Sequence, residues 1–227
     1  MFSAAPVYPV ALLLSGSRCL VVGGGRLARE KAEGLVAAGA DVTVVTGDAS
    51  AGDVDADLGA LAARLHRRAL HPGEAANFAL VVATSGDRGL DRAVAAEARA
   101  AGALVYVPDD PEACSFFLPA TLRRGAVTVA VTTGGSSPAV AAWVRDLVGG
   151  LLGDEVSALA ELVGHARARL RAEGRSTAGL PWRALLDGPL RGLLATGRPD
   201  EARDLVATWT ARQRGQSPAP GAPPGDE

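Results

Sequence analysis

Over its first hundred residues the chain alternates short apolar runs with longer stretches of helical character, and after that the pattern changes. The run from Cys19 to Val22 predicts a strand over 18–23, and residues 26–38 read as a helix that Gly39 closes at its C-terminus. Asp41 to Val45 is the next strand, with a weaker one over 63–69. Phe78 to Ala83 reads as a buried strand, Asp87 to Ala101 as a helix, and Ala103 to Val107 as a short fifth strand. Strands alternating with helices imply right-handed crossovers and a parallel sheet. The fold class is therefore α/β, with a Rossmann-like parallel sheet leading.

Past the fifth strand, two β-prone runs, Phe116 to Leu122 and Val127 to Thr132, flank Arg123-Arg124-Gly125-Ala126. That arrangement predicts an antiparallel β-hairpin with the arginines in its loop. Ser137 suits an N-cap and Pro138 a first helical position, opening a helix to about Val148. From Asp154 to about Arg212 the chain reads as a small C-terminal helical domain. It is interrupted at Gly174, at Gly179-Leu180-Pro181 and at Asp187-Gly188-Pro189. Residues 213–227 are rich in Pro, Gly and Ser and read as a disordered tail. The expected division is 1–112, 113–150, 151–212 and 213–227.

Composition narrows the field. The 227 residues are 48% hydrophobic and 21% charged, with net charge −2. That suits one large or two small soluble domains and points to neither nucleic acid nor membrane as a partner. The apolar runs are too short to span a bilayer, and no secretory-type start is expected. The two cysteines, Cys19 and Cys114, fit no metal-ligand pattern and read as reduced thiols in a cytoplasmic protein. His66, His71 and His165 lack metal-ligand spacing, so no metal site is expected. Lys31 is the single lysine.

Candidate chemistry begins at Gly23-Gly24-Gly25-Arg26-Leu27-Ala28, placed between the first strand and the first helix. Gly23 permits the turn, Gly25 lets the backbone approach a pyrophosphate, and Ala28 lets the helix pack on its strand. The helix start then offers free N–H groups to the anion. Gly23, Gly25, Arg26 and Leu27 are the expected dinucleotide contacts. Gly47 and Asp48 follow the second strand and should border the adenosine ribose. Asp48 there favours NAD over NADP by accepting from the ribose hydroxyls. Thr84 should approach the nicotinamide side.

Several further motifs share one order along the chain. Tyr8-Pro9-Val10 precedes the first strand, and Lys31 follows the glycine turn and Ala28. Ala83-Thr84 ends a strand, and Val107-Pro108-Asp109-Asp110-Pro111 leads into Cys114-Ser115-Phe116-Phe117-Leu118-Pro119-Ala120. Arg123-Arg124-Gly125, Val129 to Gly135 and Ser137-Pro138-Ala139 follow. In this order the chain resembles the siroheme-synthase N-terminal module, the precorrin-2 dehydrogenases, some of which are also sirohydrochlorin ferrochelatases. The resemblance covers about Pro9 to Val148 and runs more loosely through the helical part. It implies NAD-linked oxidation of precorrin-2 to sirohydrochlorin and a homodimer that exchanges the hairpin region, making 113–150 a dimerisation region. The methyltransferase domain of fused members is not expected here.

The family's essential aspartate maps onto Asp109, the expected catalytic residue; Asp110 reads as a turn residue. The resemblance also implies Fe2+ or Co2+ insertion into sirohydrochlorin as a second activity, for which Asp109 is the best candidate to take the pyrrole protons. Thr133, Gly134 and Ser136 read either as a substrate-side anion nest or as a capped helix after a glycine turn. Arg123 and Arg124 read either as partners for substrate carboxylates or as a solvated turn. Two positions depart from the family pattern. Ser85-Gly86 stands where relatives carry an acidic pair, and Tyr106 where they carry Asn. These departures keep a second reading in view, a non-catalytic sensor of dinucleotide or tetrapyrrole. A reductase of small carbonyl compounds is disfavoured, since no Tyr-x-x-x-Lys pair accompanies Lys31.

Overall fold

The structure, a computed structural model, describes residues 6–47 and 54–215. The chain forms two compact units. One takes the chain up to Leu118 together with Gly134–Ser136, and the other takes Pro119–Thr133 and the chain from Ser137 onward.

The first unit is a five-stranded sheet. Its strands are β1 (Arg18–Val22), β2 (Asp41–Val45), β3 (Arg64–His66), β4 (Leu80–Ala83) and β5 (Leu104–Tyr106). They lie in the order β3-β2-β1-β4-β5, every pair parallel. Helices α1 (Arg26–Ala37), α2 (Leu58–Leu61) and α3 (Arg88–Ala100) connect them. Alternate residues of β1 explain why its sequence reads as an unbroken apolar run. Leu20 and Val22 join the core that holds Val94, Ala95 and Ala98 of α3. Cys19 and Val21 join the core that holds Ala28, Ala32 and Leu35 of α1. With both faces covered, neither set of side chains can be polar. Leu20 is fully buried, so its truncation to Ala costs about 2–5 kcal/mol.

Both long helices stop on glycine. Gly39 (φ +79°) and Gly102 (φ +82°) are left-handed, and each lies within a paired set of returning N–H bonds. Gly39 donates to the Val36 carbonyl and Ala40 to that of Leu35; Gly102 donates to Arg99 and Ala103 to Ala98. These double bonds satisfy the last carbonyls and turn the chain directly into β2 and β5. The strands are shorter than the apolar runs predict. β1 stops at Val22, before the glycine turn, and β3 keeps only three residues.

The second unit opens with a hairpin, β6 (Ala120–Arg124) and β7 (Val127–Val131). Its register corrects the sequence expectation. Arg124 pairs with Val127 and Arg123 with Thr128, so both arginines lie in strand β6 and the turn is Gly125-Ala126 alone. Gly125 has φ +55°, as the first central residue of a type II′ turn requires. Phe116 to Pro119 precedes the strand instead of belonging to it.

Helices α4 (Pro138–Leu151), α5 (Glu155–Ala172), α6 (Trp182–Leu185), α7 (Arg191–Ala195) and α8 (Pro199–Gly215) complete this unit. Ser137 caps α4, its hydroxyl accepting from the Val140 N–H at 3.3 Å. Ala166, Leu185, Leu190, Ala202 and Val206 form the helical core, beside which Trp182 stacks on Trp209 at 4.7 Å between ring centres. The interruption expected at Asp187-Gly188-Pro189 is a kink with extended backbone at Gly188.

Candidate active site

Ligands of open parallel sheets sit beyond the carboxyl ends of the strands, where the strand order reverses. Here that point lies between β1 and β4. Gly23 (φ +134°) follows β1, and a Cβ there would run into the Thr84 carbonyl that follows β4. Only glycine lets the two strand ends approach so closely. Gly24 is close-packed but less tightly held, with a Cβ 3.3 Å from the side chains of both Thr46 and Val54. Gly25 differs. It is the N-cap of α1 with an ordinary φ of −84°, no side chain caps the helix, and a Cβ there meets nothing within 4 Å. The first two glycines thus serve the protein's own packing, while the third leaves space over an uncapped helix start. That open cradle fits a dinucleotide pyrophosphate.

Around the cradle, Arg26 and Leu27 are exposed on the first turn of α1. Gly47 (φ +75°) follows Thr46 beyond β2, and Asp48 lies outside the described residues. Arg29 binds Asp55 at 3.1 Å, and the Asp55 N–H donates to the Gly24 carbonyl at 2.8 Å. These bonds fasten the segment before α2 to the glycine turn.

A cavity of about 330 Å³ opens beside the turn, lined by Leu27, Thr84, Gly86, Arg88, Asp91 and the stretch Val107–Asp110. The structure therefore brings Leu27, Thr84 and Asp109 together. Asp109 is exposed and has φ +59°, the only non-glycine residue with a positive φ among those described. Aspartate tolerates this region better than most residues, yet at a cost. Isolated strain of this kind concentrates where chemistry is done.

Asp110 behaves differently from the turn residue expected. It is buried, with 6% of its surface exposed, and its Oδ2 accepts from Arg92 Nε at 2.5 Å. That hydrogen bond, with the positive charge of Arg92, the Ala113 N–H and the charge of Arg88, holds the Asp110 carboxyl below its usual range despite burial. Asp91 is likewise buried, its carboxylate accepting from the Ser85 N–H at 2.9 Å. Asp87 caps α3, accepting from Gly89 and Leu90. The Asp91 position leaves a trace in the sequence, since an acidic residue stands on the face shared by Val94, Ala95 and Ala98.

Tyr106 is half-buried. Its ring lies 5.8 Å from that of Phe116, and Lys31 Nζ sits 6.0 Å above it while pairing with Glu30 at 2.7 Å. Burial, and then the nearby Cys114 and Asp109, push its phenol upward in pKa.

In the second unit, the Thr133 hydroxyl accepts from the Ser137 N–H at 3.0 Å and donates to its carbonyl at 3.1 Å, closing the loop before α4. Gly134 and Gly135 are left-handed within that loop, and Ser136 is exposed. Arg124 lies 3.7 Å from Asp154, and Arg123 points from the exposed face of β6. Among the described residues no three His, Cys, Asp or Glu side chains form a metal-ligand cluster. No described helix is long and apolar enough to cross a membrane.

The parallel sheet, the tight first two glycines and the open third one define a Rossmann-type dinucleotide-binding protein. Residues 10–120 match the family described as "Putative NAD(P)-binding". Over 96% of its length the chain is 37% identical to the siroheme synthase of Methylococcus capsulatus and 35% identical to siroheme synthase 2 of Halorhodospira halophila. Over nearly its whole length the chain is thus homologous to part of the siroheme synthases. The chain spans about half the length of these relatives, 48% and 46%. A solved structure of SirC, a precorrin-2 dehydrogenase, shares the fold with a TM-score of 0.68 at 21% identity, over 89% of this chain and all of that one.

Proposed function

We propose that this protein oxidises precorrin-2 to sirohydrochlorin with NAD+, and that Asp109 accepts the proton. The observation that carries the reading is the placement of Asp109, a strained exposed carboxylate on the wall of a cavity shared with Leu27 and Thr84. The oxidation removes a hydride and a proton from the macrocycle. The nicotinamide, when bound, accepts the hydride. Gly23, Gly25, Arg26 and Leu27 hold the pyrophosphate end, Gly47 borders the ribose, and Thr84 orients the nicotinamide end toward Asp109. A carboxylate held at the rim of that cavity takes the proton within hydrogen-bond reach of a ring seated there. At about 330 Å³ the cavity lies within the size range of small-ligand sites.

The partner we propose is a second copy of the chain. On α4, Val140, Trp143, Leu147 and Leu151 recur at helical spacing and stay exposed, Trp143 at 61% and Leu151 at 74%. An apolar stripe of this size is the mark of an interface. Thr133, Gly134, Ser136, Arg123 and Arg124 are assigned to the substrate side of the assembled protein. The free thiols of Cys19 and Cys114 suit the reducing cytoplasm.

The test is anaerobic turnover of precorrin-2 with NAD+, following NADH and the sirohydrochlorin spectrum together. Their coupled, equimolar appearance supports the reading. Binding of dinucleotide and tetrapyrrole with no turnover refutes it and favours the sensor. Fe2+ or Co2+ added afterwards tests metal insertion as a separate step.

A further inference from the structure

We infer that Arg88 is the receptor for a carboxylate of the substrate, and that it seats an acidic tetrapyrrole edge against Asp109. The inference rests on the function proposed above. Arg88 is the only cationic residue on the cavity wall, which it shares with three carboxylates. Two of those are already satisfied within the protein. Asp110 is paired with Arg92, and Asp91 is buried on the Ser85 N–H. That leaves Asp109 and Arg88 as the charged groups of the wall with no hydrogen-bonded partner, Arg88 acting on Asp110 only through its charge. Among the described residues Arg88 makes neither a hydrogen bond nor a salt bridge, although arginine is abundant in this chain and usually paired in it.

Arg88 opens α3, but the helix start itself is not the anion site. The N–H groups of Gly89 and Leu90 are already taken by Asp87, so the guanidinium is what remains for an anion. Its fork matches a carboxylate in two parallel bonds. Arg92, one turn further on, is committed to Asp110 and cannot do the same. Precorrin-2 carries carboxylates around its rim, so a base and a carboxylate receptor on one wall fix which edge of the ring meets the base. The same guanidinium would also suit a dinucleotide phosphate. The Gly25 cradle already provides that site, so the substrate carboxylate is the occupant we assign.

The experiment titrates sirohydrochlorin and, separately, NADH into the wild type, Arg88→Ala and Arg88→Lys, and measures the KM for precorrin-2 in each. Arg88→Ala is expected to weaken sirohydrochlorin about tenfold and raise the precorrin-2 KM similarly. Arg88→Lys should recover part of the loss, and NADH affinity should stay unchanged, which also shows that the variants fold. Unchanged sirohydrochlorin affinity in Arg88→Ala overturns the inference. A loss confined to NADH also overturns it, by assigning Arg88 to the dinucleotide. A wild type that binds no sirohydrochlorin fails at the earlier step and removes the proposed function itself.

Discussion

Arg92 and Asp110 tie helix α3 to the loop that carries Asp109, through a bond of 2.5 Å between an arginine whose side chain is 55% exposed and a carboxylate that is 7% exposed. The two ends of this pair are unequal. Removing Asp110 returns a mostly solvated guanidinium to water. Removing Arg92 leaves a buried carboxylate with only the Ala113 N–H and the charge of Arg88 to support it. Arg92→Ala should therefore destabilise more than Asp110→Ala. Chemical denaturation of both variants checks the order, and equal losses contradict it.

Asp109 separates stability from turnover. Its left-handed backbone is a cost that glycine does not bear. Asp109→Gly should unfold at the same denaturant concentration as the wild type or higher, a gain of up to about 1 kcal/mol. Turnover should nevertheless fall by about 10²–10⁴. Asp109→Ala should lose both, with NAD+ binding retained. Wild-type rates in either variant remove Asp109 from the mechanism.

The first and third glycines of the turn should fail in opposite ways. Gly23→Ala drives a Cβ into the Thr84 carbonyl at a φ that alanine avoids, so it should cost more than about 2 kcal/mol. Gly25→Ala meets open space at an ordinary φ and should fold normally while losing dinucleotide affinity. Melting curves and NADH titration of the pair distinguish packing from binding. A Gly25→Ala variant that binds NADH as well as the wild type would empty the cradle of its role.

Acid stability has a local origin at Glu74. Hydrogen bonds from Arg68 at 2.7 and 2.8 Å, joined by the His71 N–H, lower its pKa from 4.5 to about 2. A carboxyl depressed on folding contributes stability that is full above its unfolded pKa. That contribution drains as pH falls from about 4.5 to about 2. Glu74→Gln should be less stable than the wild type at neutral pH, by about 1 kcal/mol, and the gap should close across that window. Denaturation midpoints measured along an acid series check it; a constant gap contradicts it.

The exposed face of α4 sets a prediction about assembly. Trp143→Glu should shift the protein toward monomer in sedimentation experiments without lowering its helix content. An unchanged sedimentation coefficient in the variant would place any interface elsewhere.

Much of the first unit was legible because local and global signals agree there. The apolar runs of β1, β2 and β4 are long enough to be recognised, and Gly39 marks its helix end. The hairpin is legible too, but its loop is shorter than the sequence suggests, for a definite reason. Arg123 and Arg124 look like loop residues, yet the turn needs only Gly125-Ala126, and the alternation Ala120, Leu122, Arg124 continues the half-buried face of β6. The carboxylates around the site were hardest to read. Asp110 meets a partner eighteen residues away, which has no local signature, and Asp91, held by a backbone N–H six residues back, shows only as an acidic residue on the buried face of α3.

Lys31 gives this corner of the molecule an unusual handle. As the single lysine it is the one side-chain amine an acylating reagent can find in this sequence, and it sits 17% exposed, held by Glu30 against the Tyr106 ring. Its labelling rate, read on the peptide that carries it, is therefore a clock for the parting of α1 from β5.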